Sequence, residues 1–298
     1  MIILYFCLVK TQELAYLTSE NIEAFIQTAL KEDVGEGDFS SLASVPADAE
    51  RKARLLIKDE GIVAGVDLAR HIFKQVDPEL ALEVFIEDGT TVKHGDVGLI
   101  VSGKAQSILK AERLVLNCMQ RMSGIATYTD KINQRIAHTK AKLLDTRKTT
   151  PNFRLPEKWA VTIGGGVNHR FGLYDLIMLK DNHIAYAGGI EQAITKTRQF
   201  LQANNKELKI EIETQNLDEV KEVLRVGQVD IIMLDNMSVA DMTTAVQLID
   251  GQYITEASGG ITLETIKEVA ETGVDFISVG ALTHSIKSLD ISLKAINE

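Results

Sequence analysis

The chain has 298 residues, 45% of them hydrophobic and 25% charged, and a net charge of −10 from 42 Asp plus Glu against 32 Lys plus Arg. That is the composition of a globular protein large enough for one large barrel or two ordinary domains. The acidic balance and the 5% aromatic content exclude a broad nucleic-acid groove, which needs a cationic face and stacking aromatics. Cys7 and Cys118 are the only cysteines; they have no metal-ligand spacing and suit a reducing compartment, so the cytoplasm is the default location. Residues 1–9 are apolar but lack a basic flank and a small-residue cleavage site, and no segment reaches membrane length, so neither an export signal nor a membrane span is expected.

In chain order, Thr18-Ser19 caps a helical period through Ile22, Phe25, Ala29 and Leu30 that stops near Gly35 and Gly37. A loop is expected next. Residues 53–57, 61–65, 82–86 and 97–101 have strand character and are separated by turn signals such as Asp88-Gly89, giving a small mixed α/β domain. Residues 109–128 form a long helix that bridges into a second domain.

From Lys142 the pattern changes to apolar strands alternating with amphipathic helices, with strands at 142–146, 176–180, 210–214, 229–235, 253–257 and 275–279. Such βα repeats demand parallel strands and point to a complete or open α/β barrel, with a doubly wound sheet as the alternative. The polar residues favour the barrel. Asp145, Arg147, Lys180, Glu213, Asp235, Ser258 to Gly260 and Gly280 all fall at or just beyond strand C-termini, which converge on one mouth in a barrel.

Between residues 143 and 184 lies a cationic island in an acidic protein. The segment Asp145-Thr146-Arg147-Lys148-Thr149-Thr150-Pro151 presents two cations on a loop, Arg147 suited to a bidentate carboxylate and Lys148 to a phosphate. Gly164-Gly165-Gly166 precedes Asn168, His169 and Arg170, and is neither a P-loop nor a dinucleotide fingerprint. Lys180-Asp181-Asn182-His183 ends a strand, where the lysine can pair with phosphate, pair with a carboxylate, or form a Schiff base. His183 is open between a structural and a site role. Glu213 and Asp235 end successive strands and suggest either a Mg2+ site completed by substrate oxygens or an ion pair with Lys180; Glu211 alternates onto the same face as Glu213. Ser258-Gly259-Gly260 and Gly280 stand where barrels bind phosphate through backbone amides.

Together with Glu32-Asp33-Val34-Gly35-Glu36-Gly37-Asp38, Ala111-Glu112-Arg113, Asn168-His169-Arg170-Phe171-Gly172 and Gly280-Ala281-Leu282-Thr283-His284, these segments closely resemble the quinolinate phosphoribosyltransferase family. The resemblance covers nearly the full chain. It implies an N-terminal α/β domain over residues 1–116, rejoined by 285–298, and an open α/β barrel of the type II phosphoribosyltransferase kind over 117–284. It further implies phosphoribosyl transfer to quinolinate with decarboxylation, Mg2+, and a homodimer in which Arg113 crosses to the partner's site.

Carried over by position, Arg113, Arg147, His169, Arg170 and Lys180 would bind quinolinate, and Thr146 would be among the substrate-binding residues. Lys148, Glu213 and Asp235 would stand by the phosphoribosyl diphosphate and its metal, with Ser258, Gly259, Gly260 and Gly280 at the 5′-phosphate. Lys148, Lys180, Glu213 and Asp235 would be the catalytic set. Departures from the family pattern fall at Asn152, Thr162 and Thr214-Gln215.

Overall fold

The computed structural model describes residues 14–296, so the expectations for residues 1–9 and for Cys7 lie outside the described part. The chain divides into two compact units. One holds the described residues up to Tyr128, then Thr149–Gly164 and the residues from Ile286 on; the other holds Thr129–Lys148 and Gly165–Ser285. The expected division set residues 1–116 with 285–298 against 117–284; here the first unit also regains the C-terminal residues, but runs on to Tyr128 and takes in Thr149–Gly164, because contacts, not sequence order, define a unit.

In the first unit, α1 (Ser19–Val34) starts where Thr18 accepts the Asn21 amide and ends at Gly35, whose φ of 53° lies in the left-handed region. Ile22 and Ile26, one turn apart, form its buried stripe. The expected loop after it contains a short helix, α2 (Phe39–Ser44), started by Asp38, which accepts the Ser41 amide at 3.1 Å. Six residues are too few to show a helical period in the sequence.

The strands are β1 (Glu50–Ile57), β2 (Gly61–Ile62), β3 (Ala81–Val84), β4 (Thr91–Val92) and β5 (Val97–Lys104). A further strand, β12 (Ile291–Ala295), returns from the C-terminus, and the four-stranded sheet runs β12-β1-β5-β3, with Leu55 opposite both Leu293 and Leu99. Helix α3 (Val66–Val76) was not anticipated. Its first amides, Val66 N at 2.8 Å and Asp67 N at 3.2 Å, donate to the carboxylate of Asp88, so the cap comes from 22 residues downstream and leaves no local signal. Leu68, Ala69, Ile72 and Phe73 on this helix are buried, as are Leu55, Ile57, Leu99 and Val101 on the sheet.

Helix α4 (Ala105–Ile136) is longer than the expected 109–128 and carries the chain out of the first unit at Tyr128. Helix α5 (Arg154–Ile163) also went unforeseen, following Pro151 directly. Its Glu157 is fully buried and accepts from Thr150 N (3.0 Å), Thr150 Oγ1 (2.9 Å) and Arg121 Nε (3.1 Å), which satisfies a carboxylate that burial would otherwise penalise.

The second unit is built on a six-stranded sheet of β6 (Lys142–Leu144), β7 (Ile177–Leu179), β8 (Ile210–Thr214), β9 (Ile231–Asp235), β10 (Ile254–Ser258) and β11 (Phe276–Ser278). The order is β6-β11-β10-β9-β8-β7, and every pairing is parallel. All six expected strands are present. Strands β6 and β7 are the two edges and do not pair, so the barrel is open.

Helices α6 (Asp181–Ala187), α7 (Ile190–Ala203), α8 (Leu217–Val226), α9 (Val239–Ile249) and α10 (Ile266–Glu271) alternate with the strands, and α11 (Ala281–His284) follows β11. Asn216 and Ser238 cap α8 and α9 through their side chains, fixing each βα turn at the strand ends. All five residues of β8 are buried, because both faces of a barrel strand are covered.

Candidate active site at the carboxyl ends of the parallel strands

The ladder registers bring the candidate residues to one end of the sheet. Ser258 is level with Asp235, and Glu213 is level with Met233, so Glu213 and Asp235 share a face one alternation apart on neighbouring strands. Lys180 follows β7 directly and ion-pairs with Glu213, whose second oxygen accepts the Asp181 amide at 3.3 Å. The sequence left Lys180 open between an ion pair and other roles; here the ion pair is formed. His183 accepts the Lys180 amide on Nδ1 at 3.0 Å, a capping role at the start of α6.

After β6 the chain enters the loop of Asp145 to Lys148. Thr146 Oγ1 accepts the Lys148 amide at 3.0 Å, and Thr283 Oγ1 donates to the Lys148 carbonyl at 2.8 Å. Lys148 reaches Gly280: a Cβ built there would stand 3.1 Å from Lys148 Cδ and 3.1 Å from the His284 ring. Gly259 has φ 95°, and a Cβ there would run into Asn236, 2.5 Å from its Cγ and 2.8 Å from its backbone N. Gly259 requires glycine by close approach, whereas at Gly280, with an ordinary φ of −63°, a side chain would only crowd Lys148 and His284. Asn236 Nδ2 in turn donates to Asp235 Oδ2 at 2.8 Å.

Asp145 is fully buried and clasps the segment after the glycine triplet, accepting from Asn168 Nδ2 at 2.6 Å and from His169 N at 2.8 Å. Arg170 is half-buried and points Nη1 at the Leu176 carbonyl (3.2 Å) and Nη2 at Met178 Sδ (3.6 Å). Burial and the neighbouring Arg147 guanidinium hold its pKa below the ordinary arginine value, while Glu211, Asp175 and Glu213 pull the other way. Two half-buried guanidiniums near enough to disfavour one another's charge are poised for an anion.

Beneath them lies a cluster that the sequence reading did not name as a site. His169 Nε2 is 3.0 Å from Glu211 Oε2 and 3.3 Å from Glu256 Oε2, with the imidazole 7% exposed and both carboxylates buried. Burial works against a charged imidazole, while the Glu256 and Glu211 carboxylates favour charging it. The Arg170 amide opposes this. It donates to Nδ1 at 2.6 Å, which requires a lone pair there and leaves the ring proton on Nε2. The geometry therefore places the extra proton on the carboxylates, where burial and the nearby Glu256 push Glu211 up to about 7. Both ring nitrogens of His169 are thus engaged by the protein, so the ring offers no free polar atom to a ligand. In the sequence Glu256 shows only as a carboxylate inside the expected strand 253–257.

The twelve candidates from Thr146 to Gly280 all belong to the second unit, whereas Arg113 is exposed on α4 in the first. Asn152, a departure from the family pattern, has φ 61°, a region that asparagine tolerates almost as glycine does. Thr214 is buried and donates from Oγ1 to the Met233 carbonyl at 2.9 Å, so it braces β8 against β9.

An open α/β barrel with fixed cations, carboxylates and glycine turns at the carboxyl ends of its strands defines a barrel enzyme that handles polyanionic substrates. The family model "Quinolinate phosphoribosyl transferase, C-terminal domain" matches residues 125–294, and the corresponding N-terminal domain model matches residues 38–123. The chain is 50% identical over 293 residues to the chloroplastic nicotinate-nucleotide pyrophosphorylase [carboxylating] of Arabidopsis thaliana, covering 93% of this chain and 84% of that one. To the probable nicotinate-nucleotide pyrophosphorylase [carboxylating] of Bacillus subtilis it is 43% identical over 262 residues, 88% of this chain and 89% of that one. The crystal structure of NadC from Streptococcus pyogenes superposes with a TM-score of 0.87 at 40% identity, covering 94% of this chain and 99% of that one. The chain belongs to the quinolinate phosphoribosyltransferase family.

Proposed function

We propose that this chain transfers the phosphoribosyl group of 5-phosphoribosyl 1-diphosphate to quinolinate with decarboxylation, giving nicotinate mononucleotide, diphosphate and carbon dioxide in NAD biosynthesis. The observation that carries the reading is the pairing of Arg147 and Arg170 beside the Lys180–Glu213 ion pair at the strand ends. Two guanidiniums suit a planar diacid, and glycine turns at Gly259 and Gly280 suit a phosphate.

The residues divide the work. Arg147 and Arg170 hold the two carboxylates of quinolinate so that its ring nitrogen faces the ribosyl carbon. Lys148, lying against Gly280, neutralises a phosphate of the other substrate. As the bond to diphosphate breaks, positive charge develops on the ribose, and Glu213 and Asp235 at the mouth stabilise it electrostatically. Attack by the nitrogen forms a pyridinium, whose charge stabilises the carbanion left when carbon dioxide departs from the adjacent carbon. Protonation of that carbon completes nicotinate mononucleotide.

Glu213 and Asp235 offer hard oxygen donors on one face, which fits Mg2+ held by one or two carboxylates with substrate oxygens. When bound, the ion would supply charge neutralisation of the diphosphate. Glu213 is paired with Lys180, so the two neutralise each other, and holding the ion would draw on the same carboxylate.

We further place Arg113 in the active site of a second copy of the chain. Its exposure on α4 supports this reading, and mixing inactive Arg113→Ala with inactive Lys180→Ala protein should restore activity if the site is shared. Residence in the cytoplasm is supported by the free thiol of Cys118, and subcellular fractionation tests it. Among the described residues no helix is long and apolar enough to cross a membrane.

The deciding assay incubates purified protein with quinolinate, phosphoribosyl diphosphate and Mg2+ and measures nicotinate mononucleotide and carbon dioxide. Formation of both in equal amounts supports the proposal. Equal turnover with nicotinate in place of quinolinate refutes it.

A further inference from the structure

The transfer reaction uses Arg170, yet nothing in the guanidinium's own contacts explains what fixes the backbone that carries it. That backbone hangs from His169. The Arg170 amide donates to His169 Nδ1 at 2.6 Å, the His169 amide donates to Asp145 at 2.8 Å, and His169 Nε2 reaches into the barrel to two carboxylates.

Those carboxylates come from strands that are not neighbours. Glu211 lies on β8 and Glu256 on β10, with β9 between them, so the imidazole bridges across an intervening strand. Glu211 is also the register partner of Met178 on β7, and Met178 Sδ is where Arg170 Nη2 rests. The backbone and the guanidinium of Arg170 are therefore referred to the same point of the barrel interior. Both Glu211 oxygens and Glu256 Oε1 are buried without a hydrogen-bond partner among the described residues, so Glu211 meets the imidazole as a close charged neighbour at 3.0 Å, and the pair is kept there at a cost that packing alone would not select.

We infer that Glu211 and Glu256 are positioning residues: they clamp the His169 imidazole from two strands and, through it, hold Arg170 in register with Arg147 for a planar dicarboxylate. Neither carboxylate touches substrate in this arrangement, and His169 acts as a strut. The inference rests on the proposed quinolinate reading for its ligand but not for its geometry.

The test is a set of titrations and one spectrum. Calorimetry with quinolinate on Glu256→Ala should show binding weakened about tenfold, the size expected for losing a hydrogen bond to a charged group, with the KM for phosphoribosyl diphosphate changed less than about twofold. Glu256→Gln, which keeps an acceptor of the same shape, should recover most of the loss. The double variant Glu256→Ala with His169→Phe should bind quinolinate no more than about twofold more weakly than the weaker single variant, because both act through one strut. In the wild-type protein, nitrogen NMR of the histidine rings should show one ring protonated at Nε2 alone, with that proton in slow exchange.

Additive losses, or equal weakening of both substrates, would overturn the inference. So would a His169 ring carrying protons on both nitrogens, or one divalent ion per purified chain that is lost in Glu256→Gln. Wild-type protein that takes up no quinolinate would refute the proposed reaction, while the NMR result would still decide the strut even if Glu256→Ala failed to fold.

Discussion

Gly259→Ala offers the sharpest test of the phosphate turn, because the adjacent Gly260 supplies its own control. Both residues have positive φ, 95° and 60°, so alanine at either is strained by about 1–2 kcal/mol. They differ in space. A Cβ at Gly260 meets nothing within 4 Å, whereas one at Gly259 stands 2.8 Å from the backbone N of Asn236, which cannot move without pulling on its hydrogen bond to the Ser258 carbonyl. Overpacking of that kind adds about 1–3 kcal/mol. Gly260→Ala should therefore lose about 1–2 kcal/mol and Gly259→Ala about 2–5 kcal/mol in urea denaturation. The displaced turn should also raise the KM for phosphoribosyl diphosphate at least about tenfold in Gly259→Ala, since misdirected backbone amides no longer meet the phosphate. If the two variants are equally stable, the close approach of Asn236 is not what demands glycine at 259.

Arg147→Lys should raise the KM for quinolinate about tenfold or more and that for phosphoribosyl diphosphate less than about threefold, because the planar fork is lost while the charge remains; equal changes would remove Arg147 from the diacid site. Glu213→Gln leaves Lys180 without its ion-pair partner, and the Mg2+ concentration for half-maximal rate should rise about tenfold in steady-state assays, as expected for one lost charged contact. Burial pushes the Cys118 thiol up to about 12, so at pH 8 it stays protonated as well as covered. A disulfide-exchange reagent should consequently count no more than one thiol per native chain and both of the chain's cysteines after unfolding.

The helices that sequence reading missed have different physical causes. Helix α3 takes its cap from Asp88, far along the chain, whereas α2 is capped locally by Asp38 and is too short to display a period. The strands of the second unit were legible because each is an apolar run set between amphipathic helices, and six parallel strands leave few topologies open. The same logic explains the site. Cations such as Arg147, Arg170 and Lys180 stand out against an acidic chain, but Glu211 and Glu256 look like ordinary strand residues until β8 and β10 are set on either side of β9.

Local pattern alone determined the βα alternation, the placement of polar residues at strand ends and the motifs that mark the family. Whether the barrel closes, which carboxylate meets Lys180 and what His169 holds were decided only by tertiary structure. Period and charge are properties of neighbours in sequence, whereas strand order and ion pairing depend on which distant segments the fold makes adjacent.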